Sequence, residues 1–144
     1  MNYTSEIVID LPRERMVELF DNPDNLSKWQ PGLRSFEPQG ENPGEPGAKT
    51  NMVFDSNGRR IEMVETIVRR NMPEEFTAIY EAKGVYNLSA HFFHDEGPDK
   101  TRWVNENEFK LSGLMALMGI FMRGAFPKQT MEDMQRFKTF AESA

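Results

Sequence analysis

The sequence predicts an α+β domain in which a curved antiparallel sheet wraps around a long C-terminal helix. Three observations predict it: one strand and two short helices open the chain, six strand-like segments follow, and an amphipathic helix ends it. Strands joined directly by turns, without crossover helices, pair in the antiparallel sense. The 144 residues suffice for one domain, which we place at residues 1–144. Because one helix cannot fill the concave side of a curved sheet, we also expect a cavity between them.

The opening elements follow from local residue types. Residues 2–10 predict a strand, since three β-branched residues in a row lie within the segment. Pro12 suits the first turn of a helix, and Asn22–Pro23 ends that helix because a residue before proline is pushed out of the α region. A second short helical segment is expected at residues 24–29.

The middle of the chain alternates between strand-like runs and turn residues. The predicted strands are residues 33–39, 48–55, 59–69, 76–81, 85–94 and 101–111. Ser56–Asn57–Gly58 is a hairpin signal between two of them. With the first strand, the sheet has about seven strands.

The last third is predicted to be helical. Met131, Met134, Phe137 and Ala141 form one apolar stripe at helical spacing, which suits a helix that covers the sheet. Pro127 should kink or restart the helix.

Composition excludes several classes of function. The net charge of −6 argues against a nucleic-acid partner. The absence of cysteine excludes disulfides and a thiolate nucleophile, and two histidines cannot build a three-His metal centre, so we expect neither metal nor cofactor. No signal peptide is visible, and the longest apolar segment, residues 114–126, is too short for stable membrane insertion. A cytoplasmic location is therefore expected.

Four local patterns occur in a characteristic order: Pro12 before Met16 and Phe20, Asp21 to Trp29–Gln30–Pro31, Met63 to Ile67, and Thr101–Arg102–Trp103 to Glu108–Phe109. In this order they resemble the helix-grip superfamily that joins START domains, Bet v 1-like allergens and polyketide cyclases (SRPBCC). The resemblance covers nearly the whole chain. It implies proteins that carry lipids, bind hormones or quinones, cyclise polyketides or assist chaperones.

We therefore predict binding of a hydrophobic small molecule, such as a lipid, a quinone or an aromatic polyketide, in the cavity. The resemblance also allows an enzyme of the polyketide cyclase/dehydratase type, which would need no metal or redox cofactor. A third hypothesis is a protein-partner module that uses the apolar segment 114–126.

The predicted ligand-binding residues come from three strands and the C-terminal segment. They are Tyr80, Tyr86, Leu88, Phe92, Trp103, Asn105, Asn107, Phe109, Met118 and Met122. On two of these strands the face that carries the large apolar groups is assigned inward. No residue is assigned a catalytic role.

Alternatives remain for the polar residues. Asn105 and Asn107 either orient the polar end of a ligand or pair with Tyr86, with the backbone or with each other, since a buried amide needs a partner. The inward face could also be the other one, which would turn Glu106 and Glu108 inward.

Other titratable and aromatic residues are expected to be structural. His91 and His94 are interpreted as strand residues, with His91 on the outer face, and Glu65 as structural or exposed. Trp29 is expected to pack the short helices against the end of the sheet, with a place at a cavity entrance as the alternative.

The apolar segment 114–126 has three interpretations. It closes the cavity as a lid, packs against a second copy of the chain, or touches a membrane surface. A homodimer is therefore an open possibility. The methionines of this region suit a variable ligand and an ordinary core equally well.

Overall fold

One seven-stranded sheet forms the body of the protein. The computed structural model describes residues 1–119 and 124–144. Within them the strands are β1 (Asn2–Ile9), β2 (Leu33–Gln39), β3 (Lys49–Ser56), β4 (Arg59–Asn71), β5 (Glu75–Ala82), β6 (Val85–Gly97) and β7 (Lys100–Leu111). All neighbouring strands are antiparallel, in the order β1-β7-β6-β5-β4-β3-β2. The predicted element order is confirmed.

The helices lie at the two ends of the chain. They are α1 (Arg13–Asp21), α2 (Leu26–Trp29), α3 (Leu114–Gly119) and α4 (Ala125–Ser143), with a 3-10 turn at Pro23–Asn25. The α4 helix packs against β1 and α2, whereas α1 packs against β6 and β7. Pro127 lies in the first turn of α4, where proline is tolerated, so the helix restarts near it as predicted.

Two turns show why glycine stands where it does. Asn57 and Gly58 both have positive φ, at 52° and 78°, as the tight β3–β4 hairpin requires. Gly32 has φ +97°, and a Cβ there would lie 2.6 Å from the carbonyl oxygen of Asp55. The start of β2 can therefore approach β3 only because residue 32 has no side chain.

An aromatic core fills the end of the fold near α1 and α2. Trp103 and Phe137 are fully buried, and their ring centroids are 5.2 Å apart. Trp29 packs edge-on against both, at 5.7 Å and 5.4 Å. The predicted packing role of Trp29 is therefore confirmed, and its side chain helps to join the short helices to the sheet and to α4.

Near the other end, α3 contacts the β5–β6 turn and the end of β7. A Cβ on Gly84 would lie 2.9 Å from the side chain of Met115, and one on Gly119 would collide with the Leu111 side chain. Leu114 and Leu117 on the same helix are 71% and 60% exposed. Among the helices of residues 1–119 and 124–144, none has the length and apolar character to cross a membrane.

Candidate ligand-binding site on the concave face

The concave face of the sheet carries a polar cluster instead of a purely apolar surface. Ser89, His91, Asn105 and Asn107 are each less than one tenth exposed and lie side by side on β6 and β7. His91 is opposite Asn105, and Ser89 is opposite Asn107. The cluster begins beside Trp103, where the aromatic core ends.

This arrangement shows that the predicted face of β7 was right and that of β6 wrong. Trp103, Asn105, Asn107 and Phe109 face inward as predicted, and Glu106 is exposed on the outer face. Three predicted binding residues lie on the opposite, outer face of β6 and are only half-buried: Tyr86, Leu88 and Phe92. Lys110 covers the Tyr86 ring there, with its Nζ 5.4 Å from the ring centroid.

A β-bulge explains the inverted face. Gly97 pairs with Lys100, but the next pair is Asp95 with Thr101, so one residue of β6 is left out. Without this bulge the turn would place Phe92 opposite Asn105, and the predicted faces would agree. The extra residue moves every side chain of β6 on the far side of the bulge from the turn to the other face. Asn87, Ser89, His91 and Phe93 therefore face inward.

The interpretation of His91 as an outer-face residue is also wrong. Its Nδ1 accepts a hydrogen bond of 3.0 Å from the Trp103 Nε1–H, and its Nε2 lies 3.4 Å from the Ser89 hydroxyl. Indole N–H can only donate, so Nδ1 is the acceptor and the neutral ring carries its proton on Nε2. Burial lowers the pKa of His91 to about 3. The imidazole is therefore neutral at physiological pH.

The two predicted asparagines continue this network. Asn105 Nδ2 donates to the Ser89 hydroxyl at 2.9 Å and to the Ala90 carbonyl at 3.1 Å. Asn107 Nδ2 donates to Asn105 Oδ1 at 2.6 Å. The alternative in which the two amides pair with each other and with the backbone is thus realised, and it accounts for how they are buried.

Backbone carbonyls fix the direction of the whole network. Asn87 Nδ2 donates to Asn107 Oδ1 at 3.1 Å and to the Glu108 carbonyl at 3.3 Å. A carbonyl can only accept, so neither Asn87 nor Asn105 can exchange its amide oxygen and nitrogen without losing bonds. Ser89 then accepts from both Asn105 and His91. In the part of the chain that the structure describes, the Ser89 hydroxyl proton and one N–H of Asn107 have no acceptor.

A second polar pair lies next to this network on β4 and β5. The Tyr80 hydroxyl donates to Glu65 Oε2 at 2.8 Å. Glu65 is 7% exposed, so of the two expectations for it, structural or exposed, the exposed one is wrong; Tyr80 faces inward as expected. Burial raises the pKa of Glu65, while the Tyr80 hydrogen bond partly lowers it. The pKa of Tyr80 lies well above its usual range, mainly through burial.

Aromatic rings border the polar cluster on the β1 side. Phe109 stacks between Tyr3 and Phe126, with centroid distances of 6.0 Å and 4.6 Å. The Tyr3 hydroxyl is hydrogen-bonded to Thr130 Oγ1 at 2.8 Å, which links β1 to α4. Nearby on α4, burial raises the pKa of Asp133 to about 6.

Two methionines of the C-terminal segment, Met118 and Met122, were predicted to bind the ligand. Met118 is half-buried on α3, and the prediction for Met122 lies outside the described residues.

Among residues 1–119 and 124–144, no group of three or more His, Asp or Glu side chains could hold a metal ion. The arrangement therefore offers hydrogen-bond donors, a buried carboxyl and aromatic surface.

Sequence reasoning missed Glu65, Asn87, Ser89 and His91 as members of the inward-facing polar groups. The available signal for the β6 residues was the alternation of Asn87, Ser89 and His91 at every second position. A row of small polar residues at that spacing is typical of an outer face, so only the register with β7 could correct it.

Structures of other proteins define the class of fold. A conserved protein from Geobacillus kaustophilus matches with a TM-score of 0.82 and 15% identity, over 99% of this chain and 96% of that one. The Zhui aromatase/cyclase from Streptomyces sp. R1128 matches with a TM-score of 0.75 and 10% identity, over 99% of this chain and 93% of that one. Norcoclaurine synthase from Thalictrum flavum, in complex with dopamine and hydroxybenzaldehyde, matches with a TM-score of 0.71 and 15% identity, over 97% of this chain and 85% of that one. At these identities the likeness establishes the fold alone, which is the helix-grip, Bet v 1-like fold.

The sequence itself defines the family. The model of the polyketide cyclase/dehydrase and lipid transport family matches residues 1–142. The chain belongs to this family, and the predicted superfamily is confirmed. No curated protein sequence matches the chain.

Proposed function

We propose that the protein binds an apolar small molecule that carries a carbonyl or similar oxygen, of the lipid, quinone or aromatic polyketide kind. The oxygen would lie against the polar cluster of β6 and β7, and the apolar body against the aromatic and methionine side chains around it. The family includes cyclases, dehydrases and lipid-transport proteins, and binding an apolar molecule is common to these activities.

One observation carries the proposal. The hydrogen bonds of the cluster run in a fixed direction and leave two donors without acceptors among the described residues, the Ser89 hydroxyl and one Asn107 N–H. A buried donor without a partner costs about 1–3 kcal/mol, so a ligand oxygen that accepts from it is stabilised by a comparable amount. The cluster therefore favours ligands that accept hydrogen bonds over ligands that donate them.

The first experiment is native mass spectrometry of the purified protein, followed by solvent extraction and mass analysis of any released molecule. We expect a stoichiometric oxygen-bearing apolar compound. The same spectrum reports whether the chain forms the dimer that the apolar segment 114–126 allows.

Defined probes then test the polar contact. 2-Tetralone is an aromatic ketone, and tetralin is the same skeleton without the carbonyl. We expect Asn107→Leu and Ser89→Ala to weaken 2-tetralone binding about 5- to 10-fold, the loss of roughly one hydrogen bond, and to leave tetralin binding unchanged. Glu106→Gln on the outer face is the control. Equal weakening for both probes would show that the cluster does not contact the ligand oxygen.

A further inference from the structure

The Glu65–Tyr80 pair is not needed for binding a carbonyl oxygen. A carboxylate repels such an oxygen, and it is costly to bury unless a cation or several donors accompany it. In the described part of the chain its hydrogen-bond partner is the Tyr80 hydroxyl, and no lysine or arginine lies within ion-pair distance. A group of this kind in a ligand-binding face is a candidate for chemistry.

Burial and one hydrogen-bonding neighbour, Tyr80, set the pKa of Glu65. Its cross-strand neighbours are Thr50 on β3, which carries no charge, and Tyr80 on β5. Further along the same face of β4, Arg70 is engaged by both carboxylate oxygens of Asp21, at 2.8 Å and 2.6 Å. Burial raises the pKa of Glu65, the Tyr80 hydrogen bond lowers it, and no charged group among the described residues contributes.

The position of the pair places it beside the proposed ligand. Asn87, the last member of the β6–β7 network, is directly opposite Tyr80 in the sheet. Helix–sheet packing of the described residues is concentrated on β1, β2, β6 and β7. Glu65 and Tyr80 therefore lie on the half of the concave face that the described helices approach least closely.

We propose that Glu65 and Tyr80 form an acid–base pair that removes a proton from the carbon next to the carbonyl group of a bound ketone. This inference rests on the proposed function and names the chemistry of that site. The C–H bond breaks, its proton forms an O–H bond on the Glu65 carboxylate, and the electron pair moves onto the carbonyl oxygen as an enolate. Glu65, once protonated, no longer needs the Tyr80 hydroxyl, which then donates to the enolate oxygen. Return of a proton to carbon completes a cycle without any other reactant.

Deuterium exchange of 2-tetralone in D₂O tests the step, and saturation-transfer NMR on the same sample reports binding. We expect the wild-type protein to accelerate incorporation of deuterium next to the carbonyl. Glu65→Gln should bind the ketone but lower the exchange rate about 100-fold or more, the usual contribution of a general base. Glu81→Gln, an exposed carboxyl of β5, is the matched control and should exchange like the wild type.

The pH profile separates a chemical role from a structural one. The Tyr80 hydrogen bond lowers the pKa of Glu65, so its removal in Tyr80→Phe raises that pKa further. Since the base acts when deprotonated, the midpoint of the exchange rate should move to higher pH in Tyr80→Phe. This measurement also serves if Glu65→Gln fails to fold.

The outcomes distinguish the two proposals. Binding of 2-tetralone with exchange that is no faster than in Glu65→Gln, or an unmoved midpoint in Tyr80→Phe, overturns the acid–base pair and leaves the proposed function intact. Absence of saturation transfer to 2-tetralone overturns both.

Discussion

Neutral, buried His91 makes the stability of the protein depend on pH in a way that can be calculated. Its pKa is about 3 when folded and 6.5 as the unperturbed value that we assign to the unfolded chain. Below pH 6.5 the unfolded chain takes up a proton that the folded protein does not, so stability is lost as the pH falls toward 3. Each pH unit in this window lowers the free energy of unfolding by about 1.4 kcal/mol. At pH 4.5 the loss from this one residue is about 3 kcal/mol.

The assay compares the wild type with His91→Asn. The asparagine Oδ1 takes the place of Nδ1 as acceptor for Trp103 and does not titrate. Urea unfolding is followed by tryptophan fluorescence between pH 7.5 and 4.5. We expect the difference in unfolding free energy between the two proteins to shift by about 3 kcal/mol, in favour of the variant at low pH.

Subtracting the unfolding free energy of His91→Asn from that of the wild type at each pH removes the contributions of the other titratable groups. Asp133 and Glu65 have raised pKa values in the folded protein, so they favour the folded state as the pH falls, with the sign opposite to that of His91. Both proteins carry them equally. If the unfolding free energies of the wild type and His91→Asn changed with pH in parallel, the assignment of His91 as a neutral residue bonded to Trp103 would be refuted.

Two further predictions concern the fold. Phe137→Ala, at the centre of the aromatic core, should lower the free energy of unfolding by about 3–5 kcal/mol in a urea titration, and a loss below 1 kcal/mol would contradict its core position. Gly32→Ala should destabilise more than Gly40→Ala in the same assay, by about 1–3 kcal/mol. Both glycines have positive φ, but only the Cβ at residue 32 meets a backbone oxygen, so equal losses would contradict the close approach of β2.

The fold could be predicted because the residues of each helix, strand and turn have a local pattern that is typical of that element. Turn residues mark the hairpins, and the stripe through Met134 and Phe137 gives the helix its buried side. The face of β6 could not be predicted in this way. It depends on a bulge at the β6–β7 turn, and the sequence there fits a turn with or without the extra residue.

The site was harder to predict because its interior is polar. The rule that large apolar groups face inward selects Leu88 and Phe92, whereas Ser89 and His91 are the residues inside. They are buried at low cost because they bond to each other and to residues of β7. Such mutual satisfaction is visible only when two strands are in register, so no single strand reveals it.

The pairing of β1 with β7 has a consequence for how the chain reaches its native state. Ile9 pairs with Thr101, about 92 residues later, while every other strand pair in the sheet joins sequence neighbours. During synthesis the first strand leaves the ribosome long before its only partner in the sheet exists. Five hairpins can form in order as their strands emerge. The pairing of β1 with β7 must wait for nearly the whole chain, and it then has to overcome the entropy cost of closing a long loop. Until that moment both β1 and the open side of β7 present unpaired backbone to their surroundings.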